Sequence, residues 1–145
     1  YNYRMDAIQG AILGVKLRRL DEWTSARRAH ARRYRELLAG GPVKVAGEVE
    51  GRRHVYHIFS IFHAERDRLR DALGRAGIQT GIHYPIPVHL QKAYSHLGHE
   101  RGDFPVTERV ADEQLSLPMF AELRDDEIAR VAEAVSAFAA AEAAE

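Results

Sequence analysis

The stretch HVYHIFSIFHAERDRLRDALGRAGIQTGIHY, residues 54–84, decides the fold because it contains a strand signal, a helix signal and a second strand signal in that order. Its first ten residues are rich in aromatic and β-branched side chains, which favour a strand. Residues 65–78 place leucines and alanines at helical spacing, and Gly77 is positioned to end that helix. QTGIHY, residues 79–84, predicts the second strand. This order predicts a small sheet with helices packed against it.

Shorter elements on both sides of this stretch extend the same pattern. Proline residues stiffen the chain just after the second strand, and they push the preceding residues towards extended geometry. The sum predicts an α+β fold in which a small, mostly antiparallel sheet has helices on one side. The further predicted elements are a strand over 43–46, a short helix over 90–98, a helix over 106–115, a strand over 115–118 and an amphipathic helix over 124–138.

The N-terminal segment, residues 6 to about 39, predicts one long helix or two helices joined by a kink. Asp6 can cap its start with Gln9 three residues later, and Gly40 begins the glycine–proline sequence that stops it. An uninterrupted helix of this length would span about 50 Å. That is long for a small domain, so we expect it to pack against something outside. Its apolar rows are Met5, Ile8, Ile12 and Val15, and beside them Leu13, Leu17 and Leu20.

The composition of the chain excludes several classes of protein. Its 145 residues fit one ordinary domain, and 21 basic residues balance 21 acidic ones, so no global field favours nucleic acid or a membrane surface. Cysteine is absent, and no apolar run reaches membrane-spanning length, which predicts a cytoplasmic protein. The chain opens on Tyr1, which predicts that it was cut, processed or translated as part of something longer.

The opening residues contain a candidate anion site. In an extended segment Asn2 and Arg4 point to the same side, just before a helix N-terminus. An amide and a forked guanidinium at this place suit phosphate oxygens. The negative charge of Asp6 in the same first turn opposes such a site, and a frayed terminus is the alternative interpretation.

The loop after the second strand contains the other cluster of polar groups. His83 and Tyr84 end the strand, and His89 follows two prolines later, which is typical of a rigid loop that holds site residues. One interpretation is a substrate pocket made of hydrogen-bond donors, and another is an ordinary surface loop. A metal site is disfavoured because no spacing matches a zinc signature. The histidines of this region are His83, His89, His96 and His99.

Two further patterns have weaker functional interpretations. The basic run RRAHARRYR, residues 27–35, could face a nucleic acid, but the balanced charge favours a solvated helix face. Lys16, Lys44 and Lys92 are candidates for Schiff-base chemistry only in principle, because none lies in a context that would activate it.

Several motifs, in order, give the chain a family resemblance. They are YNYRMDAIQGAIL, RRAHARRYRELL, VYHIFSI, RDRLRDALGRAGIQTGIHYPIPVHLQKAY, FPVTERVADEQLSLPM and DDEIARVAEAV. Together they resemble the C-terminal part of the DegT/DnrJ/StrS family of sugar aminotransferases, which depend on pyridoxal phosphate (PLP). The most specific combination is N-x-R-M-D at the start with G-I-x-T-x-x-H-Y-P-x-P-x-H at residues 77–89.

The resemblance implies a fold and a division of the chain. The family fold is of the aspartate aminotransferase type, with a large PLP domain followed by a small α+β domain. Residues 1–40 then correspond to the connecting long helix from a missing large domain, and residues 41–145 to the small domain. The motif that carries the Schiff-base lysine has no counterpart here, so the resemblance implies that no catalytic lysine lies in this chain and that the segment is inactive alone.

The resemblance also implies roles for residues. Asn2 matches the asparagine that reaches the PLP phosphate of the partner subunit in a homodimer, and Arg4 belongs to the same motif. His83 and Tyr84 match the segment that lines the sugar–nucleotide pocket, with His89 nearby. The implied reaction is amino transfer from glutamate or glutamine to a keto group of a nucleotide-linked sugar. A stand-alone module that binds nucleotide sugars without catalysis is the alternative.

Overall fold

A computed structural model describes residues 4–142 of the chain. Asn2, the first of the candidate site residues, lies outside the described residues. Two short 3-10 turns, Val88–Leu90 and Lys92–Leu97, follow the proline-rich loop. The helices are α1 (Ala7–Leu17), α2 (Leu20–Leu37), α3 (Arg66–Arg75), α4 (Pro105–Glu113) and α5 (Asp125–Glu142), and the strands are β1 (Lys44–Val45), β2 (Phe59–Phe62) and β3 (Gln114–Leu117).

The three strands form an antiparallel sheet in the order β1–β2–β3. Lys44 pairs with Phe62 across the first pair of strands, and Ser60 pairs with Ser116 across the second. Helices α2 and α3 both pack against α5, and α3 also contacts β3. The predicted α+β fold with a small, mostly antiparallel sheet is therefore confirmed.

The N-terminal segment forms two helices, which was the second of the two predicted possibilities. The break lies at Arg18 and Arg19, between α1 and α2. At the start of α1 the backbone N–H of Asp6 donates to the side-chain oxygen of Gln9 at 3.0 Å, as the capping pattern predicts. The two helices differ in packing: α2 buries Tyr34 among other residues, whereas α1 has no buried residue. The domain boundary after residue 40 stays a prediction.

The core lies between the sheet and helices α2, α3 and α5. Phe59 of β2 stacks on Tyr34 of α2 with ring centroids 4.9 Å apart. The Tyr34 hydroxyl donates to the carbonyl oxygen of Pro118 at 3.1 Å, so this aromatic ring is buried with its polar end satisfied. The side chains buried most completely are Tyr34, Phe59, Ile61, Leu69, Leu73, Leu115, Ile128 and Val135.

The strand predicted from the aromatic stretch 54–63 is shorter in the structure, because only Phe59–Phe62 joins the sheet. Tyr56 has a positive φ of 48°, which breaks an extended backbone. Its N–H donates to Nδ1 of His54 at 2.8 Å, and its hydroxyl donates to the Glu48 carboxylate at 3.0 Å. These local side-chain bonds compete with strand pairing and hold the segment as a loop.

The second predicted strand, residues 79–84, is reduced to a single bridge between Gly81 and Ser116. Both backbone bonds of that bridge form, with N···O distances of 3.1 and 2.7 Å. Two residues later the backbone N–H of His83 donates to the side chain of Gln114 instead of to a backbone carbonyl. The ladder therefore ends where a side chain replaces the backbone acceptor.

Two glycines near the end of α3 are expected to respond in opposite ways to alanine. Gly74 lies inside the helix with open space where an alanine methyl group would lie, so Gly74→Ala should raise the free energy of unfolding by about 0.5–1 kcal/mol. Gly77 has a φ of +74°, so Gly77→Ala should lower it by about 1–2 kcal/mol. Guanidinium denaturation of both variants checks this, and equal shifts of the same sign would contradict it.

Candidate functional site

His83 is held against the sheet by two side chains of β3. Its backbone N–H donates to Oε1 of Gln114 at 2.9 Å, and its ring Nδ1 lies 2.9 Å from Oγ of Ser116. The bridge at Gly81 brings the chain to this position, and a side chain there would meet the imidazole, because an added Cβ would lie 2.8 Å from Cε1 of His83. A glycine is therefore required for the imidazole to lie over this strand.

Tyr84 extends outward from the same point. Its side chain is 73% exposed, and its ring meets the His83 ring edge-on, with centroids 5.5 Å apart. Ile86 in the loop that follows is also largely exposed. His83 and Tyr84, the first two residues of the H-Y-P motif, therefore lie together and present a ring edge and a phenol to the outside of the domain.

A shallow groove of about 200 Å³ lies beside the His83 ring. Pockets for small molecules usually have volumes of about 300–1,000 Å³. The groove is therefore too small to enclose a ligand of the size of a nucleotide sugar. It can form one wall of a larger site. Its lining includes His57, Thr80, Gly81, His83, Ser116 and Met119.

His89 lies in a different environment from His83. Its Nε2 is 3.1 Å from Oε1 of Glu108, and both side chains are only 8% exposed. A carboxylate can only accept, so this ring nitrogen carries a proton. Glu108 also accepts from the backbone N–H groups of Gly102 and Phe104. His89 is absent from the lining of the groove, and its contacts tie the proline-rich loop to α4; its substrate role stays a prediction.

The carboxylate of Glu108 is expected to make folding stability depend on pH. Its pKa lies below the usual 4.5, mainly because the N–H of Gly102 donates to it, with Phe104 and His89 acting in the same direction. A carboxyl group with a lowered pKa in the folded state stabilises the fold above the unfolded pKa, and this contribution is lost as the pH falls through the folded pKa.

Glu108→Gln should therefore flatten the acid side of the stability profile below about pH 4.5, and lower stability at pH 7. Guanidinium denaturation at several pH values from about 3 to 7 measures this. Glu133→Gln, at an exposed position of α5, is the matched control. Parallel profiles for the wild type and Glu108→Gln would show that this carboxylate has no such effect.

Arg4 is exposed just before α1 and is not part of the groove lining. Its cofactor role, like that of Asn2, stays a prediction. The three lysines of the chain, Lys16, Lys44 and Lys92, all have exposed side chains. A lysine that forms a Schiff base is activated in a pocket that desolvates it or beside another cation. None of these three lysines is enclosed in that way.

The alternatives for the histidines and the basic run can be compared with the geometry. Among residues 4–142, no group of three or more potential metal-binding side chains comes together. In the basic run, Arg28 donates to Glu48 at 2.8 Å, and Arg35 donates to the backbone carbonyl of Ala46. These arginines hold the 46–54 loop on α2. The same described range contains no helix that is both long and apolar enough to cross a membrane.

Gln114 and Ser116 contact the candidate site and were not identified from the sequence. The sequence predicts Gln114 at the end of a helix and Ser116 in a brief strand. In the structure both belong to β3, whose four residues are all buried. The alternation of polar and apolar residues along this strand was a usable signal. Gln114 and Ser116 are two residues apart and so face one side of the strand, whereas Leu115 and Leu117 face the other side. Two polar side chains on one face of a buried strand indicate a polar partner beside it.

Comparison with known proteins gives a consistent result over almost the whole chain. The family model of the DegT/DnrJ/EryC1/StrS aminotransferases matches residues 1–136. The chain is 44% identical over 141 residues to a protein from Geobacillus stearothermophilus described as a pleiotropic regulatory protein. It is 40% identical over 132 residues to the UDP-N-acetyl-3-dehydro-alpha-D-glucosamine 3-aminotransferase of Acidithiobacillus ferrooxidans.

Solved structures agree with the sequence matches. The fold superimposes on DesV from S. venezuelae, solved in complex with a ketimine intermediate, with a TM-score of 0.91 and 37% identity over 94% of this chain and 37% of that one. An aminotransferase of the same family from Brucella abortus gives a TM-score of 0.86 at 37% identity.

The matches cover only part of each relative. The Geobacillus match covers 95% of this chain but only 38% of the Geobacillus protein. The Acidithiobacillus match covers 91% of this chain but only 35% of the Acidithiobacillus protein. The matched region is a C-terminal portion of the relatives. The match of residues 1–136 to the family model, together with the superposition, shows that this chain belongs to the DegT/DnrJ/EryC1/StrS aminotransferase family.

Proposed function

We propose that this chain is the C-terminal portion of a PLP-dependent aminotransferase that transfers an amino group from glutamate or glutamine to a keto group on a nucleotide-linked sugar. The single observation that carries the proposal is the family match over residues 1–136. Relatives of this family are described as transaminases of dTDP- and UDP-linked amino sugars. The proposed substrate class follows from those relatives.

The described residues of this chain do not form a complete PLP site. Bound PLP supplies an electron sink, and its covalent attachment needs an enclosed lysine. Lys16, Lys44 and Lys92 are exposed, so none offers that environment. The proposal therefore assigns the attachment of PLP to a large N-terminal domain and gives this chain a binding role.

In this assignment the chain contributes one wall of the substrate pocket. His83 is fixed on β3 and Tyr84 lies outward beside it, so both can contact a sugar nucleotide. An imidazole and a phenol supply hydrogen-bond donors and a ring face, which suit hydroxyl and phosphate oxygens. Asn2 and Arg4 are proposed to approach the PLP phosphate of a partner subunit, as the N-x-R-M-D motif implies.

The size of the groove disfavours a stand-alone nucleotide-sugar site at His83. About 200 Å³ beside His83 is below the usual range for a small-molecule pocket. The comparisons do not favour that alternative either. A second wall, from the large domain or the other protomer of a homodimer, would complete the site.

The exposed apolar residues of helix α1 support the proposed partners of this chain. Its apolar residues, such as Ile8 and Val15, are 73% and 66% exposed, and none of its residues is buried. An apolar surface of this kind is typical of an interface. The proposed occupants are the large PLP domain and the homodimer partner. A cytoplasmic location stays a prediction.

The substrate class can be tested on the complete enzyme, meaning this chain together with its large PLP domain. The enzyme is incubated with PLP, glutamate or glutamine, and a panel of dTDP-, UDP- and GDP-linked keto sugars, and amino-sugar products are identified by mass spectrometry. We expect one nucleotide class to give product. A complete enzyme that aminates none of the panel, yet binds PLP, would contradict the proposed substrate class.

A further inference from the structure

The His83 cluster consists of His83, Gln114, Ser116 and Ser60, which are linked by short hydrogen bonds. Oε1 of Gln114 accepts from the backbone N–H of His83 at 2.9 Å. Its Nε2 donates to Oγ of Ser60 at 3.0 Å and to Oγ of Ser116 at 2.6 Å. The orientation of this amide is determined, because a flipped amide would place its NH2 group against the N–H of His83.

The position of one proton follows from this arrangement. A serine hydroxyl has a single proton, and Oγ of Ser116 already accepts from Gln114. Ser116 is buried, and within the described part of the chain Nδ1 of His83, at 2.9 Å, is the acceptor that its hydroxyl reaches. A buried hydroxyl without an acceptor is unfavourable, so Ser116 donates and Nδ1 accepts.

We infer that Ser116, oriented by Gln114, fixes neutral His83 as the tautomer that carries its proton on Nε2. Nε2 has no hydrogen-bond partner among residues 4–142, and the His83 ring is exposed over the groove. His83 therefore presents an N–H donor to whatever fills the groove. This donor would pair with an acceptor oxygen of the nucleotide sugar, an assignment that rests on the proposed function. Ser116 and Gln114 are positioning residues that act through His83.

Solid-state ¹⁵N NMR of the complete enzyme with labelled histidine tests the tautomer directly, with the His83 signal assigned by its loss in His83→Gln. We expect Nδ1 of His83 to be unprotonated in the wild type. Ser116→Ala should raise the Nδ1-protonated fraction about tenfold, the size of one lost hydrogen bond. Ser116→Thr keeps the hydroxyl and should keep the wild-type tautomer, which separates this effect from misfolding.

A matched control is Ser136→Ala, because the hydroxyl of Ser136 donates to the Ala132 carbonyl within α5, away from the His83 cluster. It should leave the His83 signal unchanged. Two results would overturn the inference: a proton on Nδ1 of wild-type His83, or an unchanged tautomer in a folded Ser116→Ala protein. Neither measurement depends on catalysis.

Kinetics then connect the tautomer to the substrate. In the complete enzyme, Ser116→Ala should raise KM for the nucleotide sugar about three- to tenfold and change kcat less, because the His83 ring loses the hydrogen bond that fixes both its tautomer and its orientation. Ser116→Thr should keep the wild-type KM. An unchanged KM in Ser116→Ala would overturn the donor role of His83. A wild-type enzyme without amino transfer would instead count against the proposed function, while the NMR result would still decide the tautomer.

Discussion

Purified alone and mixed with PLP, this chain is expected to show no visible absorbance band of bound cofactor and no amino transfer above background. Both should appear when a second polypeptide, the proposed lysine-bearing large domain, is added. The physical reason is that Lys16, Lys44 and Lys92 are exposed, whereas covalent attachment of PLP needs a desolvated or otherwise activated lysine. The groove beside His83, at about 200 Å³, also lacks the walls to hold the cofactor.

The matched control uses the same large domain with its Schiff-base lysine replaced by alanine. This large-domain variant should associate with the chain as tightly as the unmodified large domain does, but the complex should transfer no amino groups. Near-ultraviolet and visible absorbance spectra and an amino-transfer assay give the two readouts. A visible band of lysine-bound PLP that this chain alone retains through dialysis would contradict the assignment of the lysine to another domain.

The fold was predictable from sequence where burial and periodicity agree. Leu69 and Leu73 are four residues apart on α3, and both are fully buried in the structure. Phe59 and Ile61 alternate along β2, and both face the core. In these elements one physical effect, the burial of an apolar face, selects both the secondary structure and the direction in which it packs.

Strand lengths were not predictable because they depend on side chains that are distant in sequence. The aromatic stretch before β2 has strong strand propensity, yet Tyr56 bonds through its hydroxyl to Glu48, which also accepts from Arg28 of α2. The pKa of Glu48 is lowered to about 2, first by the Arg28 hydrogen bond. Such a three-part contact is visible only once α2 lies beside the loop, and it overrides the local preference for a strand.

The candidate site was predictable in part. The H-Y-P motif identified His83 and Tyr84, and the structure places these two rings against each other. The residues that hold His83, Gln114 and Ser116, lie more than thirty residues later in the chain. No local spacing links them to His83, because the link is made by antiparallel pairing at Gly81 and Ser116. For His89 the motif suggests a substrate contact, whereas its partner in the structure is Glu108.

Replacing Ile8 and Ile12 of α1 by glutamate is expected to weaken assembly with the proposed large domain strongly while leaving this chain folded. The two side chains are 73% and 55% exposed, so the change should alter the free energy of unfolding of this chain by no more than about 0.5 kcal/mol. At an interface the same side chains would each contribute about 1.5–3 kcal/mol through burial.

The expected weakening follows from those magnitudes. Losing two buried isoleucines removes at least about 3 kcal/mol, which corresponds to about a 100-fold rise in Kd, and burying two carboxylates adds to the loss. Analytical ultracentrifugation of the variant with the large domain measures the Kd, and the restored amino transfer gives an independent titration.

Val49→Glu with Val55→Glu is the matched control, since these valines are 71% and 53% exposed but lie outside α1. The control should assemble like the wild type if α1, and not apolar exposure in general, makes the interface. Wild-type affinity in the Ile8 and Ile12 variant would contradict the proposal that α1 packs against the large domain. The chain would then need another explanation for a helix with apolar residues exposed along its whole length and no residue buried in its own core.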